Sequence, residues 1–390
     1  MRSGTLRIVN AATDSPQAQG PVLELSRTVT WKTQVLLHDH VLDSRTLPEE
    51  LGLVRHDNAF VITDETVWSL YGGRLCERFL AKRIGLHCIL VEPGEPGKDF
   101  ATYAEVIDGL IAAGIDRKST IIAFGGGSVC NLAGFVAATL FRGVRLIHIP
   151  TTFLAQVDAC LDFKQAINHA SAKNLVGAIY PADGVIIDPS LLATLSNRHL
   201  RNGIAEVLKH CLVQDAGMVA RFLRTRPGRL DKALLSEIFD VGVALKVPLL
   251  SRSSGSDLDD LIPQYGHAIG HAIEHAAKPF LYHGESVAIG MCVCADIALE
   301  EGISDRATRD AHYALCAHFG LPTQVPSDTP VESIMAAMRH DKHCFGTPHM
   351  ILLERIGRPA SRDGCFGLAV SWQSISNALK RSQEHARKKR

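Results

Sequence analysis

The sequence predicts an α/β fold in two parts: an N-terminal Rossmann-like parallel sheet with helical crossovers, then a mostly α-helical second half. Three observations carry this expectation. Through the first half, short β-rich runs (TQVLLH, NAFVITD, HCILVEP, STIIAFGGG and RLIHIPTT) alternate with helix-length segments such as ETVWSLYGGRLCERFLAKRIG and FATYAEVIDGLIAAGI, the pattern of strands joined by crossover helices. From about Ser190 strand-like runs become rare and helical periodicity dominates, as in RHLRNGIAEVLKHCLV and KALLSEIFDVGVALKVPLL,. In IIAFGGGSVCNLAGF a strand runs into three glycines and then a helix expected to start near Ser128.

The chain of 390 residues is too long for one ordinary core,. It is expected to divide into a tail (1–27), an α/β domain (28–189), a helical domain (190–379) and a basic tail (380–390), although a single large barrel also fits the length. Both tails are small and polar or strongly charged, and are expected to fray. Lys+Arg and Asp+Glu are equal at 41 each, so no net field draws the protein to nucleic acid or an acidic membrane,. The N-terminus lacks the apolar core of a secretory signal, and no apolar run reaches the roughly 18 to 20 residues of a membrane span; a cytoplasmic protein is expected. Ten scattered cysteines never form CxxC, and the Cys292–Cys294 pair inside an apolar run reads as core packing,. Nothing repeats at a fixed period.

Gly125, Gly126 and Gly127 allow a pyrophosphate close to the backbone, with the helix N-terminus supplying free N–H groups. This is not GxGxxG, and a bare GGG also serves as a tight turn. Asp64 ends NAFVIT, where a carboxylate can accept from a ribose; Glu95 and Lys98 in GEPGK follow another strand; Thr151 and Thr152 end a third. Each alone reads as a cap or turn residue, but their shared place at strand ends points to a nucleotide.

His267, His271 and His275 recur every four residues and stack along one helix face, with His283 following in an expected loop,. Two histidines a turn apart plus a further ligand make a metal site with an open position. Glu206 in GIAEVLKH is the candidate further ligand, with Lys209 on the same face, and His275 is expected to lie outside the site. The segment VDACLDFKQAINHASAKNLVGAIYP, read as irregular, carries Asp158, Lys164, Asn168, Lys173 and Asn174. Lysines beside amides fix phosphate and hydroxyl oxygens together, and Arg142 in LFRG offers a bidentate phosphate contact. A solvated charged loop is the alternative.

Together these motifs resemble the sugar-phosphate cyclases, the family that includes 3-dehydroquinate synthase, 2-deoxy-scyllo-inosose synthase and the 2-epi-5-epi-valiolone synthases. The resemblance runs from about Val29 to Gly367 and is densest from GGGSVCNLAGF to IAEVLKH and at YGHAIGHAIEHA and HGESVAIGM. It implies a dehydroquinate synthase-like fold, with NAD contacts at Asp64, Glu95, Lys98, Gly125, Gly126, Gly127, Asn131, Thr151 and Thr152. It further implies a zinc or cobalt ion held by Glu206, His267 and His283, with His271 a hydrogen-bonding partner rather than a ligand. Asp158, Lys164, Asn174, Lys209 and Lys246, with Lys173, become the cradle of a sugar phosphate. Arg142 resembles the residue that reaches phosphate across a homodimer interface. The implied reaction is a lyase cycle of transient oxidation, phosphate elimination, reduction, ring opening and intramolecular aldol closure to a cyclitol ketone.

Departures within the family bear on the substrate. Asp260 and Gln264 stand where the dehydroquinate synthases carry an arginine and an asparagine, and an aspartate is poor for a carboxylated substrate. FKQAIN and MILLERIGRP resemble the 2-deoxy-scyllo-inosose synthases, which take glucose 6-phosphate, although Gln264 replaces a glutamate and His343 a lysine of that group. VLDSRTLPEEL, ITDETVWSLYGGRL and NGIAEVLKH resemble the valiolone synthases, which take sedoheptulose 7-phosphate. Asn131 replaces the family's commoner aspartate. The expectation is the inosose synthase, with the C7-cyclitol synthase as alternative. Further off stand dehydroquinate synthase itself, a metal-dependent polyol dehydrogenase and a non-catalytic NAD- or sugar-phosphate-binding regulator.

Overall fold

The computed structural model describes residues 30–388 apart from 55–56, 171, 227, 229, 252–260, 279, 340–343 and 345. Asp260 and His343, both expected at the substrate, lie outside the described residues. Thr33–Arg390 forms one compact unit, and its larger apolar core runs from Phe60 to Leu379.

The first half builds a six-stranded parallel sheet. Its strands are β1 (Gln34–Leu37), β2 (Asn58–Asp64), β3 (Gly85–Val91), β4 (Thr120–Gly125), β5 (Arg145–Pro150) and, after a hairpin of β6 (Lys164–His169) and β7 (Ala172–Ile179), β8 (Gly184–Ile187). The order is β1-β8-β5-β4-β2-β3. Residues alternate between faces along each strand: Phe60 and Ile62 enter the large core, Ala59 and Val61 a second core on the opposite face,. All five expected runs are strands of this sheet, β1 to β5, and the central ones were legible because a parallel sheet covered on both faces reads as continuous apolar runs. β8 was not among the expected strands, because GVII is only four residues between two aspartates. Asp188, just past it, accepts from the N–H groups of Val41 and Ser190 at 2.8 Å and so fixes both ends of the crossing.

The helices are α1 (Leu47–Glu50), α2 (Glu65–Ala81), α3 (Phe100–Ala112), α4 (Gly127–Thr139), α5 (Asn197–Gln214), α6 (Ala216–Phe222), α7 (Lys232–Ser251), α8 (His267–Ala276), α9 (His283–Glu300), α10 (Arg306–His318), α11 (Val331–Met338) and α12 (Trp372–Lys388). Among the described residues, strands of the second half are limited to two small antiparallel pairs within 349–369. Among the described residues no helix is long and apolar enough to cross a membrane. Cys292 and Cys294 are buried in α9, as core packing requires.

Three expectations need correction. Residues 164–169 and 172–179 pair as an antiparallel hairpin, with one register shift between Ile167 and His169, rather than forming an irregular loop; its alternation was masked by polar side chains on the open face. His283 opens helix α9 instead of sitting in a loop, because Glu285 accepts from the Tyr282 N–H at 2.8 Å and closes a capping box there,. α4 begins at Gly127, next to the expected start near Ser128. Residues 380–388 continue α12 rather than fraying, since Leu379 and Ser382 are buried against the core.

Two glycines set the packing of α9. A Cβ on Gly290 would run into the Gly266 carbonyl ahead of α8, and one on Gly284 into the Asn202 carbonyl of α5. Their absence of a side chain lets α9 lie directly against both neighbours, which brings His267, His283 and Glu206 to one place.

Candidate active site

At the carboxyl ends of the strands, β4 passes through Gly125 and Gly126 into α4. A Cβ on Gly125 would lie 2.7 Å from the Val129 side chain, so the turn tolerates only glycine. Glu95, in the turn after β3, accepts from Ser128 Oγ at 3.1 Å and from Asn168 Nδ2 at 2.8 Å. Lys98 is buried and donates to Asn174 Oδ1 at 2.5 Å; burial pushes its ammonium down, against the pull of Glu95. Asn174 has φ 54°, a left-handed conformation that asparagine tolerates, and its N–H donates to Asn168 Oδ1 at 3.0 Å,. Thr151 Oγ1 is buried without a hydrogen-bond partner among the described residues, and Asp64 uses Oδ1 to cap α2 through the Val67 N–H at 2.9 Å. Asn131 is half-buried on α4, and Thr152 Oγ1 accepts from the Ala155 N–H at 3.3 Å.

The histidines converge as their spacing implied. The ring centroids of His267, His271 and His283 lie 5.2 to 5.5 Å apart, and one nitrogen of each falls within 4.8 Å of the others. His275 is exposed. Glu206 is buried on α5, with Oε1 facing His283 Nε2 at 3.3 Å and His267 Nε2 at 3.6 Å. That oxygen has no hydrogen-bond partner among the described residues.

The ring tautomers follow from the neighbours. His267 Nδ1 donates to the Tyr265 carbonyl at 3.1 Å, and His283 Nδ1 to Glu274 Oε2 at 3.3 Å. Nε2 is therefore the position each ring keeps for a cation, which at His283 would replace a proton, and with the Glu206 carboxylate oxygen between them this donor set fits a divalent cation. The electrostatics agree. Burial would raise the Glu206 carboxyl, but Lys209 and the two histidines hold it well below the usual range. Burial would lower the His283 imidazole, but Glu206 and Glu274 hold it up at about 10, so a cation taken up at Nε2 would displace a proton that this place already favours,.

Glu274 was not among the candidates. It is buried, and Lys173 donates to its Oε1 at 2.5 Å while standing 3.6 Å from Glu95. Burial would raise its carboxyl, but His283 and Lys173 hold it at about 2. The hairpin thus ties the glycine turn to the histidines through Glu95, Lys173 and Glu274. The available signal was its place seven residues after His267, two helical turns along the same face,.

On the other side of Glu206, Lys209 hydrogen-bonds both to Glu206 Oε2 and, at 2.9 Å, to the Pro263 carbonyl. Lys246 on α7 is buried and hydrogen-bonded to Asp158 in the π-helical segment Ala155–Ala159. Gln264 lies in the short turn beside Pro263. Lys164 and Arg142 are exposed: Lys164 pairs with Asp162 at 3.5 Å, and Arg142 sits with φ 63° in the turn between α4 and β5. Neither joins this network among the described residues.

A nucleotide-type turn at the rim of a parallel sheet, wired through the hairpin to a carboxylate and paired imidazoles, defines an enzyme of the sugar-phosphate cyclase class. Residues 88–202 match the family described as 3-dehydroquinate synthase N-terminal, and 203–344 its C-terminal counterpart. The chain belongs to the 3-dehydroquinate synthase family. It is 36% identical over 80% of its length to a 2-deoxy-scyllo-inosose synthase from Streptoalloteichus tenebrarius, covering 83% of that protein. It is similar in structure to a 2-deoxy-scyllo-inosose synthase complexed with carbaglucose-6-phosphate, NAD+ and Co2+ (TM-score 0.81, 30% identity, 89% of this chain and 96% of that one). It also resembles a 2-epi-5-epi-valiolone synthase from Streptomyces hygroscopicus subsp. jinggangensis with NAD+ and Zn2+ bound (TM-score 0.80, 26% identity, 93% and 100%).

Proposed function

We propose that this chain is an NAD- and divalent-metal-dependent cyclase that converts glucose 6-phosphate to 2-deoxy-scyllo-inosose with loss of phosphate. The observation that carries the reading is the unpartnered Glu206 Oε1 facing the Nε2 atoms of His267 and His283. In this reading 28–189 is the NAD-binding domain and 190–379 the metal- and substrate-binding domain.

Glu206, His267 and His283 would hold zinc or cobalt, and Asp64, Glu95, Lys98, Gly125, Gly126, Gly127, Asn131, Thr151 and Thr152 would hold NAD. When bound, NAD supplies a reversible hydride acceptor and the cation a Lewis acid beside a sugar hydroxyl. The chain's own groups do the rest. Lys209 and Lys246 are buried ammoniums held in place by carboxylate partners, suited to stabilise an alkoxide or enolate oxygen. His271, beside both other imidazoles, is placed to move a proton,. Asp158, Asn174, Lys164 and Lys173 orient hydroxyl and phosphate oxygens, so the steps after elimination proceed on one molecule held in one place. Arg142, exposed on its turn, reaches the phosphate site of a second copy in a homodimer.

Likeness to the inosose synthases supports the choice of substrate. The seven-carbon alternative, sedoheptulose 7-phosphate, draws on the likeness to the valiolone synthase and on the phrases VLDSRTLPEEL, ITDETVWSLYGGRL and NGIAEVLKH. The test offers glucose 6-phosphate, sedoheptulose 7-phosphate and the dehydroquinate synthase substrate in parallel, with NAD and cobalt, and identifies products by mass and NMR. Phosphate release from glucose 6-phosphate without net NADH is expected. Turnover of only one of the other sugars would replace the substrate, and stoichiometric NADH would replace the cyclase with a polyol dehydrogenase.

A further inference from the structure

Behind the glycine turn lies a second group of ligand-type side chains that this reaction does not use. Cys130 comes from α4, His148 from β5, and Cys160 from the residue that ends the π-helical segment. All three are buried, at 1%, 1% and 2% exposure. One ligand atom from each lies within 4.8 Å of the other two. Their sequence positions carry none of the short spacings of zinc motifs, so only the fold assembles them,.

His148 is the member that demands an explanation. Both of its ring nitrogens are buried and neither has a hydrogen-bond partner among the described residues. A neutral imidazole has one donor and one acceptor, and buried polar atoms of this kind are nearly always paired. Ordinary core packing accounts for two buried cysteines, but not for an imidazole with two idle nitrogens set against them.

We propose that Cys130, His148 and Cys160 form a second metal site, separate from Glu206, His267 and His283, that takes a thiophilic cation, zinc first. Two thiolates and a neutral imidazole are a zinc ligand set. Their charges sum with Zn2+ to zero, whereas monovalent copper would leave a negative charge in the core. Three protein ligands keep one position for an exogenous one. The site has a consequence for the nucleotide end of the enzyme. α4 continues from the glycine turn, β5 ends at Pro150 just before Thr151, and the π-helical segment carries Asp158, so a cation shared by the three segments would brace the frame around the turn.

The test uses cobalt as the probe on reduced, full-length wild-type protein. Expected are two cobalt ions per chain by elemental analysis and a near-ultraviolet cobalt–thiolate charge-transfer band, which a site of carboxylate and imidazoles cannot produce. Cys160→Ser should remove the band and one cobalt. His267→Ala should remove one cobalt and keep the band, so this proposal fails or stands independently of the cyclase reading. One cobalt per chain with no thiolate band in the wild type overturns it. So does a Cys130–Cys160 disulfide in the protein as purified that excludes cobalt even after reduction. Because the wild-type spectrum decides, a variant that fails to fold does not rescue the proposal.

Discussion

Glu274 holds His283 Nδ1 at 3.3 Å with one carboxylate oxygen and Lys173 Nζ at 2.5 Å with the other. The first contact orients an imidazole whose Nε2 faces Glu206; the second anchors the hairpin that also carries Asn168 and Asn174. One buried side chain therefore couples the geometry at the cation to the geometry at the glycine turn.

Glu274→Gln keeps the volume but weakens the acceptor behind His283. Losing such an outer partner typically costs about 10- to 100-fold in metal affinity. A competition titration with a zinc chelator should show that loss with the far-ultraviolet circular dichroism unchanged; wild-type affinity would refute the orienting role.

Glu206→Ala should abolish metal binding and also destabilise the fold, because Lys209 would remain buried and unpaired. Breaking a buried ion pair from one side costs about 3 to 5 kcal/mol. The double change Glu206→Ala/Lys209→Met should recover most of that stability in urea unfolding, and none of the metal binding. Recovery of both would mean that Glu206 serves only Lys209.

Gly290→Ala tests the approach of α9 to α8. The added methyl meets the Gly266 carbonyl, so the helices must part, at a cost of about 1 to 3 kcal/mol. Since α8 carries His267 and α9 carries His283, metal affinity should fall along with the thermal midpoint. A loss of stability alone would show that the two histidines adapt independently.

His312 gives a pH dependence away from the site. Its Nδ1 donates to the Thr308 carbonyl and its Nε2 accepts from the Tyr265 hydroxyl, both at 2.8 Å, so the neutral ring is fully paired. Burial lowers the imidazole from 6.5 to about 4. Between those values the unfolded chain binds more protons than the folded one, so this residue's contribution falls as the pH drops from 6.5 towards 4, by roughly 3 kcal/mol in total. Urea unfolding across that range should show a shallower slope for His312→Gln than for wild type; equal slopes would exclude His312 as a source.

The central strands, the glycine turn and the row of histidines were legible because each is a local pattern: apolar runs for strands buried on both faces, glycines at a strand end, imidazoles at helical spacing. Even there the spacing alone could not sort the histidines. Each four-residue step turns about 40° around a helix of 3.6 residues per turn. His267 and His271 share a face, while His275 has rotated into solvent. Gln165, whose KQAIN setting suggested a substrate, is buried, packs against Gly134 and donates to the Tyr180 carbonyl at 3.1 Å. Its motif marks how the hairpin lies on α4.

By itself the sequence determined the α/β order of elements, the family, and Glu206, His267 and His283 as the candidate ligands. Only the tertiary structure decided that Glu274 and Lys173 join the metal end to the nucleotide end, that β8 sits between β1 and β5, and that Cys130, His148 and Cys160 meet. The physical reason is common to all three. Propensity and periodicity act over a few residues of chain, whereas these meetings depend on how closely helices and strands far apart in sequence can pack, and on which buried charges and lone pairs must then find partners.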